Sequence, residues 1–164
     1  MTDQEIHRIC EKYGIENYTI NRGLVNVDGN VNITFKKLSK LPLKFGTVNG
    51  HFVCSNNKLT TLDGAPNEVN GDFYCQSNKL ESLEGAPKEV NGDFPCYNNQ
   101  LITLEGAPNQ INGGFWCFNN QLTSLKHLPD CNKINFHDNP CYNKLKDLSI
   151  KQIINHYKLK EILD

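Results

Sequence analysis

Four residues toward the C-terminal end are of the types that ligate zinc. They are His127, Cys131, His137 and Cys141, spaced His-x₃-Cys-x₅-His-x₃-Cys. Imidazole and thiolate are preferred zinc donors, and a structural site gathers four of them around one tetrahedral centre. Cys141, with His137 and Asp138 nearby, also has the residue types of an activated thiol. Four more thiols, Cys54, Cys75, Cys96 and Cys117, follow one another at a constant step of 21 residues. A line of sulfurs at fixed intervals cannot surround one ion, and an inward-facing thiol behaves as a small hydrophobe. Lys144, Lys146, Lys151, Lys158 and Lys160 form a basic run whose ordinary place is the solvated side of a helix. Glycine-rich phosphate loops, paired-carboxylate motifs and nucleophile elbows are missing from the chain.

What these side chains can do depends on the elements that carry them, and those elements repeat. Leu59-Thr60-Thr61-Leu62-Asp63-Gly64-Ala65-Pro66 returns as Leu80 to Pro87 and again as Leu101 to Pro108, each 21 residues after the last. Asn57, Asn78, Asn99 and Asn120 keep the same step. Each unit contains an apolar-x-apolar-x-x-Asn-x-Leu stretch, as in Phe73-x-Cys75-x-x-Asn78-x-Leu80. A single unit cannot bury its own apolar side, so units must stack and share a continuous core. Val31-x-Ile33 sits one step before Phe52-x-Cys54, and Ile134-x-Phe136-x-x-Asn139-x-Cys141 fits as a last unit two residues shorter. About six short parallel strands are therefore expected. Gly64-Ala65-Pro66 and its copies punctuate a return leg expected to be irregular or 3₁₀.

This register disposes of the metal and thiol readings. His137 is expected to point outward, Cys141 into the core, and Cys131 to lie on the return leg, so the four zinc-type ligands diverge. The asparagine column is expected to satisfy backbone groups where the chain leaves each strand. No catalytic residue, metal or cofactor is expected. The array needs covered ends. Thr2 to Tyr13 reads as an amphipathic helix with a Thr2/Glu5 capping box and a stop at Gly14, followed by a hairpin around Asn21-Arg22-Gly23. Ser149 to Leu163 reads as a second helix with Ile150, Ile153, Ile154, Tyr157 and Ile162 on its apolar side. One domain follows, with an N-terminal cap over 1–23, repeats over 24–143 and a C-terminal cap over 144–164.

The repeated stretch resembles the leucine-rich-repeat signature L-x-x-L-x-L-x-x-N-x-L, with Phe and Cys in two leucine places. With its Leu-Glu-Gly-Ala-Pro and Asn-Gly-Asp-Phe phrases, the 21-residue unit is similar to repeats of bacterial and large-phage proteins. The resemblance implies a leucine-rich-repeat solenoid with its strands on the concave face. It implies no particular activity, because function resides in sites grafted on the fold. Some bacterial proteins of this family carry a ubiquitin-ligase domain after the repeats. Fewer than 25 residues follow Cys141, and they read as a cap.

Alternation along the strand leaves three columns facing solvent. Between Phe and Cys stand Asn32, Val53, Tyr74, Pro95 and Trp116, and after Cys stand Thr34, Ser55, Gln76, Tyr97 and Phe118. Before Phe stand Asn30, His51, Asp72, Asp93 and Gly114. Tyr74, Tyr97, Trp116 and Phe118 thus fall on one face as a contiguous aromatic patch, flanked by Asp72 and Asp93 and extended by Gln76, Val53 and His51. Exposed aromatic patches mark interaction sites, and Trp and Tyr are frequent interface anchors. The expected function is a non-catalytic scaffold binding a protein or peptide, with inhibition of a bacterial or host protein as one consequence. The alternative is a self-associating virion or assembly component.

Composition agrees. The chain has 164 residues, 38% hydrophobic, with a formal net charge of −1. Acidic flanks and near-neutral charge argue against nucleic acid, which needs a basic track. No run approaches the roughly 18 apolar residues of a membrane span. The start Met1-Thr2-Asp3-Gln4-Glu5 lacks the basic and apolar stretches of a secretory signal. A cytoplasmic monomer is expected, in the host cytoplasm if phage-encoded.

Overall fold

A constant repeat length makes equivalent residues of successive turns meet side by side. The computed structural model of the chain describes residues 1–163, with side chains as far as 157. In chain order its elements are α1 (Asp3–Tyr13), β1 (Tyr18–Asn21), β2 (Leu24–Val27), β3 (Val31–Asn32), β4 (Phe45–Val48), β5 (Phe52–Val53), β6 (Glu68–Val69), β7 (Phe73–Tyr74), β8 (Glu89–Val90), β9 (Phe94–Pro95), β10 (Gln110–Trp116), β11 (Asp130–Asn135), α2 (Tyr142–Leu145) and α3 (Ile150–Leu163). The chain is a parallel β-solenoid. Val31 pairs with Phe52, Phe52 with Phe73, Phe94 with Phe115 and Phe115 with Ile134. Cys75 N–H donates to Pro95 C=O at 3.0 Å, joining β7 to β9. β3, β5, β7, β9, β10 and β11 therefore form one parallel ladder, the strands expected from the Phe–Cys stretches.

The return leg departs from the expectation of an irregular chain. β2, β4, β6, β8, β10 and β11 form a second parallel ladder, in which Val48 pairs with Val69, Val69 with Val90, and Val90 with Ile111. Each strand contributes few residues, and one buried side chain flanked by polar ones is too short a signal for a period to be read. The two ladders meet at the Asn-Gly corner. A Cβ on Gly92 would lie 2.9 Å from the backbone carbon of Gly71, so successive turns approach there more closely than a side chain permits. Only the Leu59–Pro66 leg and its copies remain turn and bend.

Between the ladders the core is columnar. Phe52, Phe73, Phe94 and Phe115 are fully buried. Phe73 stacks on Phe52 at 5.3 Å and on Phe94 at 5.1 Å between ring centroids. Cys54, Cys75, Cys96 and Cys117 fill the neighbouring column at 0% exposure. Burial pushes the Cys54 thiol up to about 12 and raises those of Cys75, Cys96 and Cys117 well above the ordinary thiol value, so all four stay protonated and apolar. The asparagines act as expected. Asn78 Oδ1 accepts from Leu59 N–H at 3.0 Å, while its Nδ2 donates to the carbonyls of Cys54 and Cys75, both at 3.1 Å. Asn99, Asn120 and Asn139 repeat the pattern one turn later each time.

Both ends of the array carry helices. Thr2 and Glu5 form the capping box of α1, and Gly14 closes it in the left-handed region at φ 65°. Ile6, Cys10 and Ile15 enter the common core. β1 and β2 make an antiparallel hairpin with Tyr18 opposite Val27. At the other end Leu145 and Ile153 are buried, and Tyr157 Oη accepts from Leu125 N–H at 3.1 Å. Ile162, Lys158 and Lys160 lie outside the described side chains. Among the described residues, no helix is long and apolar enough to cross a membrane.

Candidate functional site

The Phe–Cys strands turn alternate side chains outward, and the aromatics there separate into two groups. Tyr97 stacks on Phe118 with centroids 4.4 Å apart and planes within 8°, and Phe118 stacks on His137 at 4.6 Å and 16°. Face-to-face contact along the ladder buries the ring faces against each other and leaves their edges toward solvent. His137 enters this column because the last turn is shorter, which places it 19 residues after Phe118. That shortened unit was the available sign that His137 belongs with the patch.

Trp116 is turned away from the stack. Its indole lies over Gly114, two residues before it, where a Cβ would overlap the six-membered ring. Equivalent positions one and two turns earlier hold Asp93 and Asp72, so the one glycine in this column is what leaves room for the ring. Pro95 beside Trp116 is buried, and Tyr74 is half-buried. Burial and a 2.9 Å hydrogen bond from its Oη to Asp72 Oδ2 raise the Tyr74 phenol to about 12. Tyr74 and Trp116 thus lean toward the Asp column, and Tyr97, Phe118 and His137 occupy the opposite margin.

The Asp column itself is partly structural. His51 N–H donates to Asn30 Oδ1 at 2.8 Å, Asp72 N–H to His51 Nδ1 at 2.9 Å, Asp93 N–H to Asp72 Oδ1 at 2.7 Å, and Gly114 N–H to Asp93 Oδ1 at 2.7 Å. Each side chain holds the backbone of the next turn. His51 Nδ1 also lies 3.2 Å from Asp72 Oδ2. One nitrogen cannot both accept the backbone proton and donate to the carboxylate. While it accepts the Asp72 N–H, this nitrogen has no proton to give the Asp72 carboxylate. Asp72 spends both oxygens inside the protein. Asp93 spends one, and its Oδ2 has no partner among the described residues.

Gln76 and Val53 share the face with the aromatics. Val53 is half-buried, and Gln76 Oε1 is the one buried side-chain oxygen or nitrogen without a partner among the described residues. The zinc-type residues do not converge. His127 occupies an exposed turn at φ 64°, Cys131 is buried in the return-leg ladder, His137 stands in the ring stack with Nδ1 2.7 Å from Asp138 Oδ2, and Cys141 is core. Among the described residues no three His, Cys, Asp or Glu side chains group as a metal ion requires. Comparison of the chain with protein-family models, with curated proteins and with solved structures finds no match.

Proposed function

We propose that the chain is a non-catalytic binding module of leucine-rich-repeat type, whose Phe–Cys face grips a protein or peptide. The carrying observation is the placement of aromatics where the solenoid does not require them. Asn32, Thr34 and Ser55 occupy the same columns in earlier turns, so the ladder tolerates polar residues there. Half-exposed Tyr74, Tyr97, Trp116 and Phe118 therefore need another reason, and a partner that covers them supplies one. The proposal includes a monomer acting in the cytoplasm, with helices at both ends serving as caps. Inhibition of a bacterial or host target would be one consequence of such binding.

The test is affinity capture from bacterial lysate with wild type and with a Trp116→Ala/Tyr97→Ala double variant, read by mass spectrometry and accompanied by melting curves. A protein held by wild type and lost by the folded double variant is expected. Equal capture by both moves the interface elsewhere. Concentration-dependent self-association in light scattering, abolished by the same pair, would favour the assembly reading instead.

A further inference from the structure

On the reading that this face binds a peptide segment, we infer that Trp116 and Asp93 together form a seat for a cationic side chain, arginine or lysine, of the partner. Gly114 brings the two groups together. The indole covers Gly114, and the same residue's N–H holds Asp93 Oδ1 at 2.7 Å. A carboxylate is thus pinned to the N–H of the glycine that the ring covers, with its second oxygen unspent among the described residues. The indole N–H likewise has no partner among the described residues.

These features add for one chemistry. The face of an indole attracts cations and repels anions, and a neighbouring carboxylate does the same. A guanidinium lying on the ring can direct N–H groups at Asp93 Oδ2, while a nearby peptide carbonyl accepts the indole N–H. Lys133 is the register partner of Gly114 on the neighbouring parallel strand β11. It does not occupy the seat, because the one cation–π contact among the described residues is Lys12 on Tyr13. An anion would gain Lys133 but oppose the ring face, Asp93 and Asp72. A neutral sugar would leave the spare carboxylate oxygen without a charge to meet.

The experiment selects short random displayed peptides on the full chain and removes those that also bind the Trp116→Ala variant. Trp116 is the only tryptophan of the chain, so its fluorescence then reports titration with a selected peptide. The expected result is enrichment of arginine or lysine, with affinity falling about tenfold when the cation is replaced by neutral citrulline or norleucine. Asp93→Asn should lose a similar factor while melting normally, since an amide oxygen still accepts from Gly114 N–H. Trp116-dependent peptides without a cation, or cationic peptides indifferent to Asp93→Asn, would overturn the seat and leave peptide binding standing. A selection yielding no Trp116-dependent peptide would overturn both.

Discussion

The inward and outward sides of the Phe–Cys strands follow opposite rules. Inward, the residue is Phe at 52, 73, 94 and 115 and Cys at 54, 75, 96 and 117. Outward, the position between them reads Val53, Tyr74, Pro95 and Trp116, four unrelated shapes in four turns. An inward side chain meets a copy of itself above and below, so one good packing solution propagates along the axis. An outward side chain meets solvent on one side, and its neighbours constrain it only at the edges. Regularity therefore reports the core, and irregularity within a regular array locates what the array carries. The Asp column lies between the two rules: its backbone bonds repeat while its spare atoms differ from turn to turn.

Phe73→Ala should cost about 4 kcal/mol in chemical denaturation, because the ring is lost from the middle of a stacked column. A loss below about 1 kcal/mol would mean that the column relaxes freely and that its uniformity has another cause.

The thiol column should make the fold alkali-sensitive. Burial raises these thiols above their ordinary value of 9.0, so the folded state holds their protons more tightly than the unfolded chain. Their contribution is fully present below pH 9.0 and is lost as pH rises toward about 12 and beyond. Melting temperature should fall across that window, and a Cys54→Val/Cys75→Val variant should fall less steeply. Tyr74 titrates upward in the same range, so Tyr74→Phe is the control that separates the two sides of the strand. If the cysteine variant follows wild type throughout, the column is not the alkaline weak point.

Gly114→Asp restores the residue type of the two preceding turns at the outward column. It should displace the indole, shift the emission of Trp116 to longer wavelength and cost about 2 kcal/mol. Unchanged emission would show that the ring does not need the glycine.

The smallest effect is expected at Gln76. Replacing it by Leu removes a buried acceptor that has no donor, so stability should rise by about 1 kcal/mol in urea unfolding. If Gln76 belongs to the interface, partner affinity should fall in the same variant. Destabilisation would instead reveal a bond that the amide makes.

The sequence alone determined the periodic part of the protein. A 21-residue step with Phe, Cys, Asn and Leu at fixed offsets places like on like in any stacked arrangement, so the six-strand ladder, the buried thiols and the bonding role of Asn78 and its copies could be read residue by residue. The α1 capping box was equally local. The tertiary structure decided whatever depends on contacts across turns. The return-leg ladder was hidden because Val69, Val90 and Ile111 give one apolar residue per turn, and their pairing exists only once turns are stacked. Alternation placed Trp116 on the outer face. The side toward which its indole leans was settled by the space over Gly114, not by its own strand. The same holds for Asp72 and Asp93, alike in sequence but unlike in free oxygens, because the Tyr74 hydroxyl donates to one and the equivalent residue beside the other is Pro95, which has no donor. Side-chain direction is chosen by the nearest available volume and hydrogen-bond partner, and on this face both come from the neighbouring turns.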